Sequence, residues 1–414
     1  IDIELQKDEA QGFQLPPFRP AVIEGIDAAT AKNIAQRLLN ANNPRLETGP
    51  FRTPEGVESA VQLAELVGAS TSTTAVAASM SFPQRHPMCG PGADTNYDFI
   101  LGLEAASPDI TLKRPIVNSL TAERDKMSIG FGSLRENYVP NPPGAEPTPM
   151  EEDQRANQGT LLTIDAQASI PIIISELSRL ITPEQQRVIN ERKARHATAN
   201  REAFLSALAD AVEEKKRGWD LSPVSTARLY AELWPLIMNE DWCLASPTNF
   251  SGGHHRQLWE HNKPYSFLGT QGAGGMGYGL GASVGAALAA RSRGRFVVNV
   301  QCDGDLNYAP GALWTAAHHE LPMLAVMHNN RAWHQEYMFV QYLAGVRGRG
   351  TERGHIGCVL RDPFIDYSKM AESYGVASEG PIEDPTLLAA ALNRGVESVK
   401  AGKPYLIDVI TQPR

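Results

Sequence analysis

Residues 296–330 constrain this chain more than any other stretch. Phe296-Val297-Val298-Asn299-Val300 has the β-branched, apolar composition of a strand buried on both faces. It runs into Gln301-Cys302-Asp303-Gly304-Asp305, which places Asp303 in an edge loop just past the carboxyl end of that strand. The pattern then predicts a helix over 311–320. A second apolar run, Met323-Leu324-Ala325-Val326-Met327, ends in His328-Asn329-Asn330. Strand, helix and strand of these lengths make one right-handed βαβ unit, whose two carboxyl ends share an edge of the sheet. Asp303 and Asn330, 27 positions apart, therefore converge where open α/β sheets bind ligands. Asp-Gly and Asn-Asn are each common turn formers on their own. Together, a carboxylate, an amide oxygen and neighbouring main-chain carbonyls are hard oxygen ligands suited to Mg²⁺ carrying a diphosphate.

The remaining sequence divides around this unit. Residues 19–181 read as one α/β domain. Asp27 caps a helix carrying Ile34, Leu38 and Leu39, which closes at Asn42-Asn43-Pro44. Thr53-Pro54-Glu55, with proline in the first helical position, opens a second helix that Gly68 stops. Short apolar runs at 99–103, 115–117 and 161–164 predict buried parallel strands, with a helix over 170–181. Five prolines between residues 136 and 159 make that stretch a surface excursion. Thr182-Pro183-Glu184-Gln185 has capping-box spacing and opens a charged helix toward Lys216, so residues 182–220 read as a connector. A second α/β domain is expected over 221–414. Residues 1–18 read as a linker, with Ile1-Asp2-Ile3-Glu4-Leu5 the tail of a strand from something larger. The fold class expected is α/β, with two open parallel-sheet domains.

Composition removes several functional classes. The chain has 414 residues, enough for two or three domains at about 150 residues each. No apolar run reaches the length of a membrane span, mean hydropathy is -0.28, and the first residues lack a signal-peptide pattern. The chain reads as cytoplasmic, with no membrane partner. A net charge of -9 argues against nucleic-acid binding, which needs a clustered basic face. Cys89, Cys243, Cys302 and Cys358 form no CxxC pair, so they read as free thiols.

Upstream of the βαβ unit, residues 269–279 hold a dense glycine run before a small-residue helix over 280–290. Gly272-x-Gly274-x-x-Gly277 matches a dinucleotide fingerprint, so a nicotinamide-dependent dehydrogenase stays open as an alternative. Against it, the glycines extend to both sides of the fingerprint, and Asn329-Asn330 has no role in that scheme.

Asp303-Gly304, the interval that follows and Asn329-Asn330 resemble the thiamine-diphosphate motif. Residues 272–287 are similar to the segment that accompanies it in acetohydroxyacid synthase, benzoylformate decarboxylase and the 2-hydroxyacyl-CoA lyases. The resemblance implies that residues 221–414 bind the pyrophosphate of the cofactor and that the first domain is the Rossmann-like middle domain. It further implies that Asp303, Asn330 and the Ala332 carbonyl hold Mg²⁺. Gly304, Asp305 and Trp333 fall among the cofactor contacts, and His254 and His255 resemble a loop touching the diphosphate. Met276 matches the apolar residue beneath the thiazolium, and the Gly274 carbonyl matches the acceptor for the pyrimidine amino group. His334 opens a helix on the substrate side. Residues 345–357, with Arg347, Arg349 and Arg353, read as a loop able to meet an anion. The sequence departs from the family in having Cys302 where glycine usually begins the motif.

The activity implied is a thiamine-diphosphate- and Mg²⁺-dependent carbon–carbon lyase, decarboxylase or carboligase. Its substrate would be a 2-oxo acid, a 2-hydroxyacyl thioester or an α-hydroxyketone. The resemblance also implies a pyrimidine-binding domain carrying an activating glutamate, supplied by another chain or an upstream segment. The working particle would hold at least two copies of each. Besides the dehydrogenase, a non-catalytic cofactor-binding subunit and a flavin-containing pyruvate-oxidase-like enzyme stay open. Several family members bind FAD in the middle domain, but no flavin signature stands out here.

Overall fold

The computed structural model describes residues 23–73, 80–104, 125–129, 160–162, 164–246, 253–269 and 276–413. Residues 1–18, the expected strand at 115–117, the proline-rich stretch and Gly274 lie outside them. The first half alternates α1 (Ala28–Asn40), β1 (Pro44–Thr48), α2 (Pro54–Val67), β2 (Ser70–Thr73), β3 (Phe99–Leu103), β4 (Asp125–Ile129), β5 (Thr160–Leu162) and α3 (Ala166–Leu180). Its five strands are parallel, in the order β2-β1-β3-β4-β5. Then come α4 (Pro183–Lys216), α5 (Thr226–Ile237), β6 (Trp242–Ser246), α6 (His254–Leu258), α7 (Tyr278–Ala290), β7 (Phe296–Cys302), α8 (Asp303–Leu306) and α9 (Gly311–His318). The chain closes with β8 (Met323–Asn329), α10 (His334–Val346), α11 (Tyr367–Ser373), β9 (Ala377–Ile382), α12 (Leu388–Lys400) and β10 (Tyr405–Ile410). The second sheet is also parallel, in the order β6-β7-β8-β10-β9.

The local signals that start these helices are visible as contacts. The Asp27 carboxylate accepts the Thr30 N–H at 2.7 Å. Thr182 and Gln185 cap each other reciprocally, at 2.9 and 3.3 Å, so the capping box opens α4 as its spacing demands. Gly68 ends α2 in the left-handed region at φ 64°. Strand β1, by contrast, lies where the sequence reading had α1 closing into a polar turn. Its two charged side chains, Arg45 and Glu47, pair at 3.0 Å inside the protein. Arg45 also donates to the Gly90 carbonyl at 2.7 Å, so the pair is hydrogen-bonded as well as buried.

One apolar core runs from Leu38, Leu63 and Leu101 in the first half to Tyr230, Val298 and Val326 in the second. A second core, with Leu280, Val297, Met323 and Leu406, fills the other face of the second sheet. The first core contains an aromatic knot in which Trp259 stacks on Trp234 and meets Trp242 edge-on. The Trp259 indole N–H donates to the Tyr230 carbonyl at 2.9 Å. Among the described residues no helix is long and apolar enough to cross a membrane.

His255 and His261 are buried in this knot, Nδ1 to Nε2 at 3.2 Å. Burial holds His255 well below its ordinary range and pushes His261 down to about 3. Both rings therefore fold neutral. The unfolded chain takes up these protons near pH 6.5, so the stability they contribute is full above that value and is lost as pH falls toward about 3. Between pH 7 and pH 5 the two histidines together should cost about 2 to 4 kcal/mol of stability in urea unfolding, partly offset by proton uptake at the buried Asp303 and Asp408 carboxyls. His261→Phe should remove roughly half of that difference. An identical drop in the variant would contradict the assignment.

Candidate functional site

Strands β7 and β8 pair in parallel with Cys302 opposite His328. One strand ends a residue before Asp303 and the other a residue before Asn330, so both side chains leave the sheet at one edge. There they line a cleft of about 470 Å³ with Met276, Gly304, Asp305, Ala332, Trp333 and His334. Cys302, His328, Gln335 and Glu336 complete its walls. The structure thus gathers eight of the candidate residues. His254 and His255 are not among the lining, and Gly274 lies outside the described residues. The His255 ring is committed to His261, Phe267 and Tyr230 in the aromatic knot.

Asp303 does not lie in an edge loop, as the sequence reading had it, nor outside the core. It begins the short helix α8 and is only 2% exposed. The Gly304 N–H donates to its Oδ1 at 2.9 Å and the Ala332 N–H to its Oδ2 at 3.1 Å. Tyr367 donates its hydroxyl to the Asp303 carbonyl at 3.1 Å. Among the described residues it forms no ion pair. Burial pushes its carboxyl up to about 7, against the pull of backbone N–H groups from Gly304, Ala332 and Arg331. Across the edge, the Asn330 Oδ1 is shut off from solvent and accepts no hydrogen bond among the described residues. Between Asn330 and Ala332 the chain turns through Arg331 at φ 58°, a conformation that a branched or long side chain rarely adopts.

These features form a consistent donor set. A buried, uncompensated carboxylate and an unsatisfied amide oxygen fit a hard divalent cation, which relieves the desolvation of the first and satisfies the second. No group of three or more His, Cys, Asp or Glu side chains gathers around a metal position among the described residues. A cation here would complete its shell from the amide, main-chain carbonyls and its own ligands, as Mg²⁺ does.

Asp305, a candidate cofactor contact, has a different use. Its Oδ1 accepts the Gly277 N–H at 2.6 Å, and its Oδ2 accepts from Gly279 N–H at 3.2 Å and from the Gln301 amide at 2.6 Å. The carboxylate therefore caps the start of α7, where the helix dipole favours negative charge. Gly277 stands at that cap with φ 86°, a role for which glycine is suited. Gly304 has its own steric reason: a Cβ there would come within 2.4 Å of the Trp333 indole nitrogen. Met276 is 37% exposed and presents an apolar side chain beside the cleft. His334 opens α10, its ring edge-on to Tyr337.

Two contributors escaped the sequence reading. Gln301 was visible, with Asn299, as a polar residue inside a β-branched run. Tyr367 lies 64 positions from Asp303 and carries no local signal at all.

Comparison with known proteins places the cleft in context. Residues 251–409 match the family model for the thiamine pyrophosphate enzyme, C-terminal TPP binding domain. The chain is 26% identical over 200 residues to a probable acetolactate synthase large subunit of Methanocaldococcus jannaschii, covering 47% of this chain and 32% of that protein. It is 33% identical over 161 residues to benzoylformate decarboxylase of Pseudomonas aeruginosa, covering 38% and 26%. The matches thus span about a third of these relatives' length. In fold, the chain is similar to a putative thiamin diphosphate-dependent enzyme from Mycobacterium smegmatis. That likeness has a TM-score of 0.66 and 22% identity, over 96% of this chain and 66% of that one. A thiamine diphosphate-dependent 4-hydroxybenzoylformate decarboxylase from Rhodococcus jostii RHA1 gives a TM-score of 0.65 at 19% identity, covering 96% and 67%. Residues 251–409, which carry the cleft, are thus similar to the C-terminal TPP binding domain of thiamine pyrophosphate enzymes.

Proposed function

We propose that the chain is the cofactor-holding part of a thiamine-diphosphate- and Mg²⁺-dependent enzyme that breaks or forms a carbon–carbon bond next to a carbonyl. Its substrate class is a 2-oxo acid, a 2-hydroxyacyl thioester or an α-hydroxyketone. The observation that carries the reading is the pairing of a buried Asp303 carboxylate with the unsatisfied Asn330 oxygen at the carboxyl ends of adjacent parallel strands. The names of relatives support it, spanning acetolactate synthase, benzoylformate decarboxylase and 2-hydroxyacyl-CoA lyase.

In this reading residues 221–414 are the pyrophosphate-binding domain, residues 19–181 the middle domain and residues 182–220 their connector. Asp303, Asn330 and the Ala332 carbonyl would hold Mg²⁺, which would bind the cofactor at its diphosphate end. When bound, thiamine diphosphate supplies a nucleophilic thiazolium carbon and a sink for the electrons of the bond that breaks. Met276 offers an apolar prop at the cleft, fixing the geometry in which neighbouring groups react. Asp305 keeps the glycine segment and the start of α7 in register with that cleft. His334, Gln335 and Glu336 line the substrate side.

The cleft also needs a cover. Helix α10 buries none of its residues and exposes Met338, Phe339, Tyr342 and Val346, between 48% and 67%. We assign that face to a pyrimidine-binding domain that brings the activating glutamate, on another chain or another segment. The particle then contains at least two copies of each part.

Thiamine diphosphate with Mg²⁺ should raise the melting temperature of the chain, and NAD should not. Asp303→Asn keeps the size and one acceptor oxygen of the side chain. It should lower Mg²⁺-dependent thiamine-diphosphate affinity about 100-fold by calorimetry, and Asn330→Ala by about 10-fold. Unchanged affinity in Asp303→Asn would overturn the metal assignment.

For Met276 the comparison is of shape. In the assembled enzyme Met276→Leu should retain most turnover, because a similar apolar volume survives, whereas Met276→Ala should lose about 10-fold or more in kcat with little change in cofactor affinity. Equal kcat in both variants would make Met276 ordinary packing.

A further inference from the structure

Away from the cofactor cleft, a second cavity of about 770 Å³, partly open to solvent, lies between residues 84–89 and the middle of α4. Pro87, Ala197 and the Phe204 ring give it an apolar floor. Two arginines, Arg85 and Arg201, stand in its wall, and among the described residues no carboxylate lines it. The Arg85 guanidinium lies 3.6 Å from the centre of the Phe204 ring, so cation and aromatic plane form one surface.

The charge in this wall is poorly compensated. The nearest acid to Arg85 is Glu260 at 3.8 Å, itself half exposed. Arg85 Nη1 is shut off from water and has no acceptor among the described residues. Burial also draws the guanidinium below its ordinary range, the direction expected of a cation that lacks a close counter-charge. Arg201 is exposed and forms no ion pair among the described residues. His86 is turned toward Glu65 at 3.4 Å and kept mostly neutral by burial, so it adds a polar edge rather than another acid or base.

The cavity also has fixed walls. Asn200 donates to the Pro87 carbonyl at 2.9 Å and accepts the Gly92 N–H at 2.7 Å, which ties the loop to α4. Gln84 donates to the Arg256 carbonyl at 2.6 Å, and the Arg85 N–H reaches the Asn262 side chain at 2.9 Å. The same loop therefore joins the first sheet's domain, the connector helix and the segment that carries α6.

We infer that this cavity is a binding site for a small organic anion, a carboxylate or phosphate on a flat apolar body, held by Arg85 and Arg201 over Phe204. Guanidinium groups recognise planar oxyanions through paired N–H donors, and an aromatic floor takes the apolar body. The site is separate from the cofactor cleft: the two sets of lining residues share no member.

The test uses the full chain with benzoate, phenyl phosphate and neutral benzamide, followed by calorimetry and thermal shift at millimolar concentration. Either anion should bind saturably and benzamide should not, and the stronger anion identifies the headgroup. Arg201→Gln, at an exposed position that does not endanger folding, and Arg85→Gln should each weaken binding at least tenfold, while the thermal shift given by thiamine diphosphate with Mg²⁺ stays unchanged. Phe204→Ala should weaken it too. Equal binding of benzamide, absence of saturable binding by either anion, or binding that survives both arginine variants would overturn the proposal.

Discussion

A carboxylate taken almost wholly out of water, between two main-chain N–H groups and with no ion pair among the described residues, is the constraint on which the second half of the molecule turns. Burying such a charge costs several kcal/mol. Two charge-assisted hydrogen bonds return roughly 1.5 to 3 kcal/mol each. Asp303 therefore sits in an arrangement that a divalent cation would complete under the proposed function, and the surrounding structure keeps it there. The β7–β8 register sets which edge it occupies, Tyr367 holds its carbonyl, and the sharp turn at Arg331 brings the Ala332 N–H back onto its side chain.

Asp303 and Asp305 show how two carboxylates two positions apart acquire different tasks from their surroundings. Asp305 spends both oxygens on Gly277, Gly279 and Gln301, and so anchors the helix that follows the glycine run. Asp303 keeps its charge uncompensated inside the cleft. The difference arises from which backbone donors each can reach, since both are among the buried residues of α8. Exchanging their roles would require moving the start of α7 across the sheet edge.

Much of this was legible in the sequence because it rested on local chemistry. The β-branched run before Asp303, the second run before Asn330 and the interval between them fixed one βαβ unit and its shared edge. Capping signals at Asp27 and at Thr182 with Gln185 marked helix starts that the structure reproduces in hydrogen bonds. What stayed hidden depended on partners distant in sequence. Strand β1 begins at Pro44, where the helix signal ended, and its Arg45–Glu47 pair is accommodated inside the protein by the distant Gly90 carbonyl. His254 and His255 followed a glycine like a ligand-binding loop, yet the histidine at 255 turns inward because Trp259, Tyr230 and His261 build an aromatic core around it. The helix-capping contacts of Asp305 were hidden because two of its partners are N–H groups of a glycine run, which carry no side-chain signature.

The two cavities differ in a way that matches their proposed contents. The cofactor cleft gathers oxygen donors for a cation, whereas the cavity against α4 gathers guanidinium groups for an anion. The first lies at the carboxyl edge of a parallel sheet, where open α/β folds bind ligands. Its central claim is tested most directly by a crystal structure of the chain with thiamine diphosphate and Mn²⁺ in place of Mg²⁺, located by anomalous scattering. The account predicts one manganese peak in direct contact with the Asp303 carboxylate and the Asn330 side-chain oxygen, with the diphosphate on its far side. A diphosphate bound with no metal at Asp303, or a metal held elsewhere on the chain, would contradict it.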